Sequence, residues 1–495
     1  MDRRFARLRS RMEELKDLSG VIGLLTWDQE TYMPEKAHDA RGQQLSTLQG
    51  LYHERLVDPR VGELLAEAQA MPDLTDDERA MLRVFRQERD RAVKVPPELV
   101  RALAEAQAAG VAAWREAREA RTFARFRPAL KRLLELRREQ ADALGHGGER
   151  YDALLDYYEP GMTVARLRPT LEGLRDRLIP MVQSLTRPER SGGPDVVAGK
   201  TFDGDKQWAF TLLLLGDMGF DLEAGRQDRS IHPFTGGSHP RDVRLTTRVD
   251  PQNPLGTIFS TIHEGGHGLF EQGFSPEHFR TPLAAAPSMG LHESQSRLWE
   301  NVIGRSRPFW EHYFPILVQH FPAELGGVTL DVFLQTVNRV TRSVNRVESD
   351  EVTYNLHIAL RFELELLLIH DELPLDELPA AWNDRTEKFL GVRPRDDLEG
   401  VLQDIHWAWG ELGYFPTYTL GNLYAAQIFE AMKRDLPDLD DTLRAGRLTV
   451  VRDWLREKIH RQGYRYPAEE LVTKVTGRGL GDEAFITYLK GKYAP

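Results

Sequence analysis

The stretch from Thr257 to Gly273, TIFSTIHEGGHGLFEQG, holds His263, Glu264 and His267 in the order His-Glu-x-x-His. Its apolar residues recur at helical spacing, and positions i and i+4 of a helix lie one above the other on the same face. The two imidazoles therefore converge on one point, where neutral ring nitrogens suit a zinc ion. Glu264 is offset from that point but reaches a water on the metal, so it is the candidate general base.

Two glycines, Gly265 and Gly266, lie in the middle of this predicted helix. Each costs about 1 kcal/mol of helix stability relative to alanine. A surface helix with two idle histidines has no reason to accept that cost. We therefore expect another part of the chain to approach the helix backbone closely here, which favours the interpretation as a metal site.

A catalytic zinc ion takes three protein ligands and keeps one position open. Glu293, in the stretch LHESQS, follows His267 after enough chain for a loop and a second helix, and we predict it as the third ligand. The alternative is a solvated helix residue. The metzincin pattern would need a histidine soon after Gly268, and the sequence has none there. The adjacent His292 is either a partner in the second layer of the site or a capping side chain.

Composition narrows the class of protein. The chain has 495 residues, of which 41% are hydrophobic and 28% charged, as in an ordinary globular protein. A formal net charge of −11 favours peptides or small molecules as partners over nucleic acid or an anionic membrane. Without cysteine, metal can be held only by histidine and carboxylate. The N-terminus lacks the apolar core of a signal peptide and no stretch suits a membrane span, so we expect a cytoplasmic location.

Helical periodicity dominates the chain. Thr75 and Glu78 form a capping box, which predicts a helix start. An amphipathic first helix is indicated by Phe5, Leu8, Met12 and Leu15. Arg187 to Lys200 is rich in glycine and proline, so we expect a surface loop, or a hinge, within a single domain that spans residues 1–495.

One clear β signal precedes the metal helix. Between Ile231 and Asp250, Val243 and Leu245 alternate with polar residues. This pattern predicts a small sheet. Its strand is either an edge that holds an extended peptide through main-chain hydrogen bonds or part of a simple structural hairpin.

Six blocks of the sequence carry a resemblance that spans most of the chain. They are HEGGH, HESQS, WDQETYMP at 27–34, YDALLDYYEPGMT at 151–163, DVRLT at 242–246 and GVLQDIHW at 400–407. Together they resemble the carboxypeptidase Taq family of thermostable metallocarboxypeptidases. One block departs from the family pattern, because Ile-Arg-x-x-Ala-Asp is here Asn345-Arg346-Val347-Glu348-Ser349-Asp350. The change alters local packing and keeps the arginine and the aspartate.

The resemblance implies a fold and an activity. The expected fold is mostly α, a large helical body with a small β-sheet beside a deep central active-site channel, as in neurolysin-like zincins. The expected reaction is the release of C-terminal amino acids from peptides with broad specificity, with Zn²⁺, or Co²⁺, as the cofactor. The resemblance also implies a homodimer.

Within the family blocks, His406 and Tyr418 are the expected side chains that stabilise the oxyanion opposite the metal, with Tyr414 the weaker choice.

Arg346 is the candidate anchor for the free carboxylate of the substrate, because a guanidinium group forms two charge-assisted hydrogen bonds with a carboxylate. The alternative is a structural ion pair with Asp350. Arg244 is the next candidate anchor, although a structural pair with Asp242 is the favoured interpretation.

Three other functions remain open. A metal-dependent oligopeptidase that cuts internal bonds would use the same metal site and would differ in lacking an anchor for the terminal carboxylate. A small-molecule metallohydrolase would not need a long aromatic-lined channel. A non-enzymatic scaffold would have no use for Glu264.

Overall fold

The computed structural model describes residues 3–187 and 193–493, which form many helices and one three-stranded sheet. The helices before the sheet are α1 (Arg3–Thr31), α2 (His38–Val57), α3 (Pro59–Gln69), α4 (Asp76–Lys94), α5 (Pro97–Ala120), α6 (Arg127–Leu144), α7 (Arg150–Leu155), α8 (Val164–Leu185) and α9 (Gly204–Met218). The strands are β1 (Gly225–Arg229), β2 (Thr235–His239) and β3 (Asp242–Thr247). The prediction of a mostly helical fold with a small sheet is confirmed.

Twelve further helices follow the sheet in the described part of the chain. They are α10 (Pro254–Gln272), α11 (Met289–Arg297), α12 (Arg307–His320), α13 (Pro322–Leu325), α14 (Leu330–Val337), α15 (Tyr354–Ile369), α16 (Leu378–Leu390), α17 (Pro416–Asp435), α18 (Leu439–Arg444), α19 (Thr449–Lys458), α20 (Ala468–Thr476) and α21 (Glu483–Tyr493). Helix α11 continues as a π-helical turn over Leu298–Ile303. No helix in the described ranges is long and apolar enough to cross a membrane.

The first helices form a hydrophobic cluster of their own. As predicted, α1 is amphipathic, and Phe5 and Leu8 on its inner face are fully buried. The predicted capping box of Thr75 and Glu78 starts α4. This cluster also includes Leu283 from the main body of the chain. The predicted loop or hinge of residues 187–200 includes residues 188–192, which lie outside the described residues, and the single-domain interpretation stays a prediction.

The sheet differs from the prediction in one respect. Strand β3 contains Val243 and Leu245, whose side chains are buried as their alternation predicts. However, β3 lies in the centre of the sheet, where it pairs in parallel with β1 and antiparallel with β2. Of the two alternatives for this strand, the edge is wrong, because both of its hydrogen-bonding sides are occupied within the sheet. Strand β2 is the edge strand that comes next to the metal helix.

Helices α10 and α11 touch through their backbones. A Cβ added to Gly266 would lie 2.7 Å from the Cα of Ser296 and 2.8 Å from the carbonyl oxygen of Gln295. Real Cβ atoms do not come this close to backbone, so only glycine fits here. At Gly265 the same test finds Leu215 of α9 at 2.9 Å. The predicted close approach to the two glycines is therefore confirmed.

A buried carboxyl group lies at the N-terminus of α11. Glu159 is 2% exposed and accepts hydrogen bonds from the backbone N–H of Gly290 and the hydroxyl of Ser288. Burial outweighs these bonds and raises the pKa of Glu159 to about 8. Because the folded-state pKa lies above the unfolded value, the stability that this group contributes is complete below pH 4.5 and is lost as the pH rises through about 8.

We therefore expect Glu159→Gln to raise the Tm relative to the parent protein at pH 8 and to change it less at pH 5. The difference in unfolding free energy should grow by at most about 1.4 kcal/mol per pH unit between these values. Thermal unfolding at both pH values measures it, with the exposed Glu98→Gln as the control variant. A Tm difference that does not depend on pH would contradict the assignment.

Candidate metal centre

Helices α10 and α11 bring the three predicted ligands together. The Nε2 atoms of His263 and His267 lie 3.8 Å and 3.5 Å from Oε2 of Glu293. One donor atom from each residue lies within 4.8 Å of the other two, and the described residues contain no other such group of three. Burial lowers the pKa of His267 to about 3, so the ring is neutral, as a metal ligand must be. Two imidazoles and a carboxylate in this arrangement fit a divalent metal ion.

A second layer of charged groups orients these ligands. Nδ1 of His263 lies 2.9 Å from Oε2 of Glu300, and because a carboxylate only accepts, Nδ1 carries the proton and Nε2 is free to bind metal. Arg297 donates through Nε to Oε1 of Glu293 at 2.6 Å. Burial alone would raise the pKa of Glu293, but the charge of Arg297 holds it well below its usual range. Glu293 is therefore ionised at neutral pH.

Glu264 faces the sheet beside this cluster. Its Oε2 accepts a hydrogen bond of 2.6 Å from the hydroxyl of Thr235 on β2. Burial raises the pKa of Glu264, against the opposing effect of the hydrogen bond from Thr235. A raised pKa suits a carboxylate that accepts a proton near neutral pH.

His292 stacks on one of the predicted ligands. Its ring lies parallel to that of His267, with centroids 4.2 Å apart, and its Nε2 lies 3.0 Å from Oε1 of Glu271. Of the two predicted roles, the contacts favour the partner in the second layer. His292 and Glu271 also line a cavity of about 550 Å³ between the first helices and the main body.

The predicted oxyanion pair comes together beside α11. Nε2 of His406 lies 3.2 Å from the hydroxyl of Tyr418, and burial lowers the pKa of His406 to about 3, so its ring is neutral. Gly421, one turn after Tyr418 on α17, packs on the ligand helix, since a Cβ there would lie 2.5 Å from Cγ of Glu293. The ring of Tyr414 is 5.3 Å from that of Tyr418, so it belongs to the same group.

Arg346 has a different partner from the one predicted. It donates to Oδ1 of Asp404 from Nε at 3.0 Å and Nη2 at 2.7 Å, and from Nη1 to the hydroxyl of Tyr354 at 2.8 Å. Asp350 instead accepts from backbone N–H groups, including that of Thr353. The alternative of an Arg346–Asp350 ion pair is therefore wrong. Arg346 is 7% exposed, and its guanidinium lies 5.1 Å from the ring centre of Tyr418.

Arg244, the second candidate anchor, forms the pair that the sequence favoured. Its Nε donates to Oδ1 of Asp242 at 2.9 Å, and its guanidinium lies over the ring of Trp27 at 4.2 Å. These contacts hold the side chain against α1.

Sequence reasoning missed several residues that contact the predicted site residues, among them Glu300, Asp404 and Thr235. Glu300 could have been found, because it follows Glu293 by two helical turns and so shares its face. Asp404 stands within the quoted block GVLQDIHW, where a charged residue among apolar ones indicates a buried ion pair. Thr235 gave no signal, since a threonine in a strand is ordinary.

A buried site of two histidines and one glutamate, with a further glutamate between the histidines, defines a metallopeptidase of the His-Glu-x-x-His class. The comparisons with known proteins agree. The model of the Carboxypeptidase Taq (M32) metallopeptidase family matches residues 7–493. Thermostable carboxypeptidase 1 of Thermus thermophilus is 43% identical to this chain, and the match covers 96% of each sequence. Thermostable carboxypeptidase 1 of Pyrococcus furiosus is 38% identical, and the match covers 95% of this chain and 94% of that protein. The M32 carboxypeptidase structure from Deinococcus radiodurans R1 has a TM-score of 0.97 at 38% identity, covering 99% of both chains.

The chain therefore belongs to the carboxypeptidase Taq (M32) family and is a metallocarboxypeptidase. The predicted resemblance and enzyme class are confirmed, and the oligopeptidase alternative is not favoured.

Proposed function

We propose that this enzyme releases C-terminal residues from peptides with broad specificity, and that His263, His267 and Glu293 hold a zinc ion, which Co²⁺ could replace. The convergence of their three donor atoms within 4.8 Å supports the proposal. When bound, the metal lowers the pKa of a water molecule and polarises the carbonyl of the scissile bond.

The remaining steps belong to side chains of this chain. Glu264 accepts the proton of the attacking water and passes it to the leaving amine, while the hydroxyl of Thr235 holds its Oε2 in place. His406 and Tyr418 form a hydrogen-bonded pair that stabilises the oxyanion. The cavity that His292 and Glu271 line offers space for part of the peptide chain, next to the ring of His267 on which His292 stacks.

Mass spectrometry of a mixed peptide pool treated with the purified enzyme tests the reaction. We expect ladders that shorten one residue at a time from the C-terminus. Fragments from internal cleavage would overturn the proposal.

We further propose Arg346 as the anchor of the terminal carboxylate. Asp404 and Tyr354 use three of its five N–H donors, which leaves two for a substrate carboxylate. Asp404 also accepts from Arg361, through Nε at 2.7 Å, so it keeps a charged partner when Arg346 is removed.

Arg346→Ala should lower kcat/KM for peptides with a free C-terminal carboxylate. The expected loss of transition-state stabilisation is roughly 2 to 5 kcal/mol. Amidated peptides should already be poor substrates for the parent enzyme. The measurement compares the acid and amide forms of one peptide on the parent, on Arg346→Ala and on Arg346→Lys, which keeps the charge and loses the fork. An unchanged preference in Arg346→Ala would move the anchor elsewhere, with Arg244 next to test, because loss of a purely structural contact affects both forms equally.

We also propose a homodimer in the cytoplasm. The dimer is supported by two exposed apolar residues, Val21 on α1 and Leu51 on α2. Helix α2 buries only one residue, Leu56, so most of its surface is open to a partner. The absence of cysteine is compatible with a reducing compartment. Light scattering of the purified protein measures the oligomeric state, and a monomer at micromolar concentration would contradict the dimer.

A further inference from the structure

One of the last backbone carbonyls of the π-helical turn Leu298–Ile303, that of Asn301, is held from outside the helix. The last carbonyls of a helix lack partners within it and need other donors. The carbonyl oxygen of Asn301 accepts from the hydroxyl of Tyr488 at 3.0 Å and from Nζ of Lys492 at 3.2 Å. Both donors lie on α21, the last helix that the structure describes. A distant segment of the chain therefore fixes this turn.

The two donors are themselves held in place by a buried carboxylate. Glu351, 6% exposed, accepts from Nζ of Lys492 at 2.5 Å and from the hydroxyl of Tyr493 at 2.7 Å. Its Oε2 also lies 2.8 Å from the hydroxyl of Tyr488, whose single proton is shared between this carboxylate and the Asn301 carbonyl. Nζ of Lys492 also donates to the hydroxyl of Tyr488 at 3.0 Å. A buried network with this many bonds fixes its members in one arrangement.

The residue before Asn301 orients a metal ligand. Glu300 shares a peptide bond with Asn301, and its Oε2 lies 2.9 Å from Nδ1 of His263. Its Oε1 accepts from Nη2 of Arg305 at 3.0 Å, and Arg305 in turn donates through Nη1 to the carbonyl oxygen of Val337. The position of the Glu300 carboxylate thus depends on the contacts of its own side chain. It also depends on the backbone of Glu300, which the bonds to the neighbouring Asn301 carbonyl hold in place.

We propose that Tyr488 and Lys492 are positioning residues for the metal site, which act through Asn301 and Glu300 on the ring of His263. The proposal rests on the metal site of the proposed function. Partners of metal ligands in this outer layer typically contribute 10- to 100-fold to metal affinity. Part of that contribution is here supplied from α21, far along the chain from the ligands.

The test measures the zinc dissociation constant of the full chain with a competing chromophoric chelator. Tyr488→Phe and Lys492→Met should each weaken zinc binding by about 10-fold. Two control variants come from the same helix. Lys490→Met changes an exposed lysine, and Tyr493→Phe removes a bond to Glu351 without touching Asn301. Lys490→Met should keep the affinity of the parent protein, and Tyr493→Phe should weaken it less than Tyr488→Phe does.

A double-mutant cycle separates positioning from general stability. In a Glu300→Gln background, Tyr488→Phe should weaken zinc binding much less than in the parent, because the route to His263 is already altered. A lower Tm of the zinc-free protein with an unchanged dissociation constant would overturn the proposal, as would an equal loss of affinity in Tyr493→Phe. A parent protein that binds no zinc would instead refute the proposed metal site, so the two failures are distinct. If Lys492→Met does not fold, the conservative Tyr488→Phe alone decides.

Discussion

His263→Ala is expected to abolish metal binding and peptidase activity together. The described residues contain one group of three metal-binding side chains, and removal of an imidazole leaves two ligands, too few for a catalytic zinc site. The loss also leaves the buried Glu300 carboxylate without the ring to which it is bonded. Metal analysis of the purified protein should fall from about one ion per subunit to background, and turnover of a C-terminal peptide bond should fall with it.

The matched control is His38→Ala, which removes an exposed histidine from α2. It should keep both the metal and the activity. Full metal content in His263→Ala would show that His263 is not a ligand. Metal loss in both variants would point to a purification effect rather than to the site.

The second large effect is expected for Glu264→Gln, which should keep the metal and lose about 10²- to 10⁴-fold in kcat. The amide oxygen can still accept a hydrogen bond from the hydroxyl of Thr235, so the side chain keeps its position. It can no longer accept a proton from water. Steady-state kinetics on a short peptide, with the metal content of the same sample, measures the effect.

Glu277→Gln serves as the control, because it removes the same charge from an exposed segment after α10. Its kcat should match that of the parent enzyme. If Glu264→Gln lost its metal, Glu264 would be a ligand and its assignment as the base would be wrong.

The metal helix could be predicted from the sequence because its signals are local. Because His263 and His267 are about one helical turn apart, the sequence predicts that they lie on the same face. Gly266 indicates that another segment packs closely on the helix, but it does not identify that segment. The neighbour, Ser296 on α11, became known only from the structure. A local pattern gives the orientation of side chains on one element, whereas packing depends on residues far apart in the chain.

The dependence of packing on distant residues also explains why two of the alternatives, the Arg346–Asp350 ion pair and the edge position of β3, are wrong. Asp350 was considered as a partner of Arg346 because it is four residues away, but the partner is Asp404, which comes from a distant segment. The sequence left open whether β3 is an edge strand or part of a hairpin, because β1 and β2, with the sequences GRQDR and TGGSH, have no apolar alternation that predicts them as its neighbours. Strands without apolar alternation cannot be predicted from the periodicity of the sequence.

The backbone contact at Gly266 also bears on how the enzyme tolerates motion. Because α10 and α11 touch main chain to main chain, thermal displacement of the surrounding helices moves both together. The separation of His267 from Glu293 is then constrained by a contact between two main chains, in addition to the side-chain contacts of Glu293. A spacing constrained in this way is less sensitive to small side-chain rearrangements in the core than one held by side chains alone.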